Sequence, residues 1–478
     1  MTRRIILFAC CLAAFAAPNG NWKKRIERIV KTTPALERSH LGIRVVDLTG
    51  KVLFEHNARS WFIPASNTKL YSTAFALHKL GANHRMTTRV VSRGSDLILI
   101  GGADPSLSGR AYPYDKTKEW GDIVPGIEAL ADQVVARGIR RIEGGIFGDD
   151  TAFVWDPFPN GWSIDDPLFE YGAPVSALTL HDNSVKLTVA PGAASGDPAS
   201  VLLSPDLGLF TIVPDVRTVA KGERARVRVD RPAHTNELRV HGTIALGARN
   251  YESLFAVDDP ALYAARALEA ALVQRGVEIR NPATVRHRNS LDEVIDSSGA
   301  EVAKLESRPL SEVVQVVNKV SQNLHAEMLL REAARKDRTA INSADAIEQL
   351  REFLTKEIKL GKDDVNFEDG SGLSRLTLLT PEATTKLLVF MANSPARDAW
   401  MASLPSGGED GTLSRRFNGA VKRVRAKTGT LSHVSALGGY LDHPKLGILA
   451  FTVVLNNYNT PSAEARAGID KLVMTLLD

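Results

Sequence analysis

The chain has 478 residues, 44% of them hydrophobic and 24% charged, with a formal net charge of +4. That length allows one large unit with insertions or two to three domains, and the composition excludes a disordered or fibrous chain. The charge is too small to argue for nucleic acid as a partner, and no cluster of Lys and Arg interleaved with aromatics accompanies it.

In chain order, residues 1–17 read as an export signal. Arg3 and Arg4 precede an almost unbroken apolar run from Ile5 to Ala17, and Ala14-Phe15-Ala16 supplies the small-x-small pattern of a cleavage site. The run is too short for a permanent membrane helix, and no later stretch approaches that length, so no stable membrane span is expected. Both cysteines, Cys10 and Cys11, lie inside it. The mature chain then has no thiol for a disulfide, a metal or a nucleophile.

Gly42–Leu48 and Lys51–Glu55 alternate in hydrophobicity around Thr49-Gly50, the pattern of a hairpin. Pro64-Ala65 then leads into a helical pattern with Leu70, Ala74, Leu77 and Leu80 on one face. From about residue 88 to about 300 the texture changes to short β-rich runs with frequent Gly and Pro. One helical pattern interrupts them, Pro260–Arg275, and Ser184–Leu246 is nearly all short strands. Asp149-Asp150, a tempting carboxylate pair, follows Gly148 and reads as a turn. Helical patterns return at Val313–Val320 and Leu324–Ala334. Strands follow at Val424–Thr430, Ser435–Leu441 and Leu446–Leu455, then a last helix over Ala463–Leu477.

Strands at both ends with helices between them predict an α+β fold: one antiparallel sheet built from the two chain ends, flanked by helices, with a large β-rich insertion forming one or two extra domains. The expected division is 18–88 with 301–478 for the main domain, 89–183 with 247–300 for the inserted one, and 184–246 for a β module nested within the insertion.

Three short motifs carry chemistry. Ser66-Asn67-Thr68-Lys69 opens a helix, where residues three apart share a face, so the Lys69 amine reaches the Ser66 hydroxyl. A serine needs a base before it is a nucleophile, and a buried lysine whose pKa is lowered can be that base. The spacing alone is weak, since it arises about once or twice by chance in a chain of this length at ordinary residue usage. Ser321-Gln322-Asn323 falls between two helical patterns, and Lys427-Thr428-Gly429 lies on a strand. Taken singly, they describe a helix cap with an exposed lysine, a polar turn and a surface strand. Taken together, in this order and in these contexts, they form the signature of penicillin-recognising serine enzymes.

The gap between Ser66 and Ser321 is far larger than a compact β-lactamase leaves. In this the sequence resembles the D-alanyl-D-alanine carboxypeptidase/endopeptidase family, the class C low-molecular-mass penicillin-binding proteins. Further stretches resemble it too: Gly101–Pro105, Gly161–Asp166 with Tyr171–Pro174, Asp369–Arg375 and Asp410–Leu413. The resemblance therefore covers nearly the whole mature chain.

It implies that Ser66 is acylated, that Lys69 accepts its proton, and that Ser321 and Asn323 line the facing wall. It further implies that Lys427 and Thr428 bind the substrate's terminal carboxylate and that the backbone N–H groups of Ser66 and Thr430 form the oxyanion hole. Asp166, Tyr171 and Arg375 would form the pocket for a peptide side chain with a free amine. Where relatives carry Gln after the Lys-Thr-Gly stretch, this chain has Ser432.

The implied ligands are peptidoglycan stem peptides and cross-links, and β-lactam antibiotics; the implied location is periplasmic. No metal or cofactor is expected, because no His stands in a metal-ligand spacing, and His181, His325 and His433 read as structural. The competing readings are a β-lactamase or esterase of the same superfamily and a non-catalytic wall-binding scaffold.

Overall fold

The structure is a computed structural model and describes residues 19–118, 120–121, 125–232 and 235–477; the expected export signal lies outside these residues. The labelled elements are α1 (Asn19–Thr32), β1 (His40–Asp47), β2 (Val52–His56), α2 (Thr68–Leu80), α3 (Leu310–Lys319), α4 (Asn323–Arg335), α5 (Pro381–Ala392), β3 (Val424–Leu431), β4 (Val434–His443), β5 (Gly447–Asn456) and α6 (Ser462–Thr475).

The central sheet has the order β3-β4-β5-β1-β2, antiparallel throughout. It joins the first strands of the chain to the last, with His40 opposite Asn456 and Asp47 opposite Leu449. Alternate residues along a strand face opposite sides. On β5, Leu449, Phe451, Val453 and Leu455 pack with Trp22 and Ile26 of α1 and Ile469, Leu472 and Val473 of α6. Ala450 faces the other way, into a helical core with Leu70 and Tyr71 of α2, Leu329 of α4, Leu387 and Leu388 of α5, and Tyr440 of β4. The two ends of the chain thus supply both the sheet and one of its covering layers.

Between Thr87 and Glu306 the chain builds the insertion around its own core. A five-stranded mixed sheet takes the order 284–288, 146–154, 96–100, 87–93 and 300–306. Strands 184–190, 200–204 and 251–256 form one small sheet, and strands 211–219, 226–230 and 237–245 another.

Three expectations are corrected here. The insertion holds a second helix, Pro125–Ala136, whose Ile127, Leu130, Ala131 and Val134 are buried at helical spacing. A Gly- and Pro-rich approach hides it in the sequence. Asp149 and Asp150 are not in a turn but buried within strand Ile146–Val154. Asp149 accepts from the Thr151 hydroxyl at 2.6 Å and the Ser297 hydroxyl at 2.6 Å, and Asp150 meets His287 Nδ1 at 3.0 Å. Such partners are what allow carboxylates inside a sheet. Finally, a module ending at 246 would separate paired strands, because Tyr251–Ala256 pairs antiparallel with Ser184–Ala190.

Among the described residues no helix is long and apolar enough to cross a membrane.

Candidate active site

Ser66 sits in a single 3-10 turn, Ala65–Asn67, that runs directly into α2. Ala65 adopts a left-handed backbone, φ 48°, which places the turn against the loop after Asp369. Gly372 makes that approach possible: a Cβ there would stand 1.9 Å from the Ala65 carbonyl oxygen, and its φ is +76°. Gly372→Ala is therefore expected to lower the unfolding free energy by at least about 1–2 kcal/mol, the cost of a left-handed non-glycine residue. Denaturant unfolding checks this, and an unchanged midpoint would contradict it.

Lys69 lies one helical turn beyond Ser66 and is fully buried. Its Nζ contacts Ser66 Oγ at 2.9 Å, Asn323 Oδ1 at 2.6 Å and the Ser371 carbonyl at 2.7 Å. An ammonium fills all three contacts as a donor. The neutral amine keeps two N–H groups for Asn323 and Ser371 and turns its lone pair to the Ser66 hydroxyl. Burial favours that neutral form and pushes the Lys69 amine down to about 7, against the opposing pull of Asp369 and Glu327.

Asp369 opens the Asp369–Arg375 stretch, whereas Glu327 belongs to none of the motifs. Glu327 follows Asn323 by four residues on α4 and so shares its face. It is buried and accepts from the Gly370 backbone N–H at 2.9 Å, and burial together with the Asp369 charge raises its pKa to about 7. Asp369 accepts from the Ser371 hydroxyl at 2.8 Å and the Ser374 N–H at 2.9 Å, which holds the loop whose Ser371 carbonyl meets Lys69. The i to i+4 spacing from Asn323 is the sequence signal that could have found Glu327.

The facing wall comes from the α3–α4 junction. Ser321 has a left-handed backbone, φ 69°, which turns the chain between the helices. Gln322 caps α4 by accepting from His325 N. Its side-chain amide donates to Glu170 Oε1 at 2.9 Å and Asp182 Oδ2 at 3.3 Å. Asp182 is buried and also receives Arg110 Nε at 2.5 Å, the Ser108 hydroxyl at 2.7 Å and His325 Nε2 at 3.0 Å. Burial opposes its charge, but Arg110 and His325 hold its carboxyl well below the usual carboxylate range. The insertion therefore grips the residue between Ser321 and Asn323, a long-range link that no local pattern reveals. His433 instead bonds the Tyr458 carbonyl through Nδ1 at 2.8 Å.

Edge strand β3 closes the third side. Gly429 lets it approach: a Cβ there would be 2.6 Å from the Pro64 carbonyl oxygen. Lys427 is buried, and its Nζ donates to Ser321 Oγ at 2.8 Å and to the Thr428 carbonyl at 2.9 Å. Burial and the neighbouring Lys69 charge push its pKa well below the lysine range. The Thr428 hydroxyl donates to Thr412 Oγ at 2.9 Å. Ser66, Ser321, Thr428 and Thr430 open onto one cleft of about 590 Å³.

Asp166, Tyr171 and Arg375 also come together. Asp166 is mostly buried and accepts from Ser163 N–H at 2.8 Å. Burial raises its pKa, while the Tyr171 hydroxyl and the Arg375 charge beside it act in the opposite sense. Arg375 donates to the Ser432 carbonyl at 3.2 Å, just past the end of β3. The Tyr171 carbonyl accepts from Asn323 Nδ2 at 2.7 Å, which joins this pocket to the site.

A half-buried serine that opens onto a cleft, paired with a buried lysine beneath an edge strand and faced by Ser321 and Asn323, is the layout of a serine-type hydrolase that works without a histidine. Known proteins narrow the class. The model of the D-Ala-D-Ala carboxypeptidase 3 (S13) family matches residues 22–476. A D-alanyl-D-alanine carboxypeptidase of Actinomadura sp. is 35% identical over 454 residues, covering 90% of this chain and 80% of the relative. The D-alanyl-D-alanine carboxypeptidase DacB of Haemophilus influenzae is 25% identical over 448 residues, covering 91% and 89%. The crystal structure of penicillin binding protein 4 (dacB) from Haemophilus influenzae superposes with a TM-score of 0.77 at 23% identity, over 94% of this chain and 98% of that one. The chain belongs to the D-Ala-D-Ala carboxypeptidase 3 (S13) family and is a serine-type D-Ala-D-Ala peptidase.

Proposed function

We propose that Ser66 Oγ attacks the carbonyl carbon of the penultimate D-alanine of a peptidoglycan stem peptide while Lys69 Nζ takes the hydroxyl proton. The backbone N–H groups of Ser66 and Thr430 receive the developing oxyanion. Collapse breaks the C–N bond, and the leaving amine takes a proton passed from Lys69 through Ser321. Water then attacks the Ser66 ester by the reverse sequence and releases the shortened peptide. The observation that carries this reading is the 2.9 Å contact between Ser66 Oγ and a fully buried Lys69 Nζ whose other two contacts are both acceptors.

Lys427 and Thr428 hold the terminal carboxylate, a group that D-alanyl peptides and β-lactams share, so penicillin acylates the same serine. Stem peptides and their cross-links are the substrates, and the enzyme acts after export, in the periplasm. The export signal at residues 1–17 and the absence of cysteine beyond it support that location. Mass spectrometry after exposure to labelled penicillin tests the reading. A long-lived adduct on the Ser66 peptide is expected; rapid penicillin turnover would indicate a β-lactamase, and no adduct a non-catalytic scaffold.

Two substitutions separate the ends of the site. Lys427→Ala removes a hydrogen-bond donor to the carboxylate that both ligand types carry, so acylation by stem peptide and by penicillin should each weaken by roughly 1.5–3 kcal/mol. Asp166→Asn keeps an oxygen for the Ser163 N–H but loses the charge that meets the free amine of the stem peptide's diamino acid. Cleavage of amine-bearing peptides should slow while simple penicillins react almost as before. Acylation rates with both ligands provide the comparison. Equal losses in Asp166→Asn would mean that the residue supports the loop and does not read substrate.

A further inference from the structure

Two arginines line the same cleft and have no part in the chemistry above. Arg415 follows the short turn Gly411–Leu413, and Arg466 lies near the start of α6. Both are exposed and border the cavity that holds Ser66, Thr428 and Thr430. Their neighbour Arg416 is neutralised by Asp470, with Nε 3.1 Å from both carboxylate oxygens. Among the described residues neither the Arg415 nor the Arg466 side chain has a hydrogen bond or an ion pair. The cleft therefore carries two uncompensated guanidinium groups.

Their position along β3 says which part of a substrate they meet. The pocket of Asp166, Tyr171 and Arg375 lies at the Ser432 end of the strand, where Arg375 bonds the Ser432 carbonyl. Arg415 lies toward the other end, because Thr412, three residues before it, receives the Thr428 hydroxyl, and Arg466 borders the same cavity from α6. Thr428 and Ser432 are four residues apart, roughly 13 Å along an extended strand. If the acyl half of the substrate extends toward Ser432, the leaving half extends toward Arg415 and the cavity wall it shares with Arg466.

A departing D-alanine has one carboxylate, and Lys427 with Thr428 already accounts for it. Two further cations are superfluous for that leaving group. They suit a larger one that carries carboxylates beyond the scissile residue, and guanidinium forks match carboxylates in bidentate fashion. We propose that Arg415 and Arg466 form a leaving-group subsite for a second carboxylate, carried by the acceptor stem peptide of a cross-link. This rests on the reading of Ser66 as the acylated residue. The bond broken is the amide between the donor D-alanine carbonyl and the acceptor's side-chain amine, which leaves with the proton. The subsite would bias the enzyme toward opening cross-links over trimming single stems.

The experiment uses the full chain and an Arg415→Gln, Arg466→Gln double variant. Four reactions are followed: cleavage of a pentapeptide ending in D-Ala-D-Ala, of a cross-linked dimer with free acceptor carboxylates, of the same dimer with those carboxylates amidated, and acylation by benzylpenicillin. In the variant kcat/KM for the free dimer should fall about tenfold or more, the scale of a lost charge-assisted contact. Pentapeptide cleavage and penicillin acylation should stay within about twofold. Amidation should cost the parent enzyme a similar factor and cost the variant almost nothing further. Equal losses on pentapeptide and dimer, an unchanged dimer rate, or full sensitivity to amidation in the variant would each overturn the subsite. Failure of the parent chain to form a penicillin adduct at Ser66 would instead overturn the functional reading beneath it.

Discussion

Ser66→Ala is expected to yield a chain that takes up no penicillin and cleaves no D-alanyl peptide, yet unfolds where the parent does. Both halves follow from the geometry. Among the described residues the hydrogen bond of the Ser66 hydroxyl is the one to the Lys69 amine. Its loss therefore removes no helix cap, a change that elsewhere costs about 1 kcal/mol. Lys69 keeps Asn323 Oδ1 and the Ser371 carbonyl as acceptors, so no buried donor is stranded with nothing to meet. Intact-mass measurement after penicillin exposure, beside a thermal unfolding curve, reads both. An adduct on any other serine of the folded variant would remove Ser66 from its role.

Lys69→Arg should be nearly as severe, although it preserves the positive charge. A guanidinium does not give up its proton in the working range, whereas the buried Lys69 amine does so at about 7. Below that pH Lys69 is protonated and cannot accept from Ser66; above it the free amine can. Acylation by the parent should therefore rise with pH through about 7. General-base assistance is worth about 10²–10⁴-fold, and Lys69→Arg should lose at least the lower end of that range at every pH. Glu327 also titrates at about 7, so the variant's profile is diagnostic. A variant that keeps the rising limb would assign it to Glu327, and one that acylates at the parent rate would reduce Lys69 to a fixed charge.

Where the chemistry depends on spacing along one element, it was legible in the sequence. Ser66 and Lys69 stand three apart across a helix start, and Lys427, Thr428 and Gly429 follow one another on a strand. The partners that tune these groups were not. Glu327 and Asp369 reach Lys69 only because α4 and the 369–375 loop close over α2, and Asp182 reaches Gln322 from the insertion. Burial creates those contacts, and no local pattern encodes them. The same physics explains the misread Asp149-Asp150. Two acids after a glycine favour a turn unless tertiary partners such as His287 and Ser297 are waiting, and here they are. The helix at Pro125–Ala136 had the right periodicity but was outweighed by the glycines and prolines before it.

The union of the two chain ends in one sheet also governs how the enzyme comes into being. β1 pairs with β5 across nearly the whole sequence, and β3, which carries Lys427, joins the sheet through β4, which in turn pairs with β5. Contacts of such sequence separation form late, because the loop must close before any pairing offsets its entropy. The insertion has its own core, and its strands 87–93 and 300–306 also pair across more than 200 residues. A growing chain carries Ser66 and Lys69 long before the strands β3–β5 that complete the cleft have been made, so the cleft is assembled only once those final strands have docked.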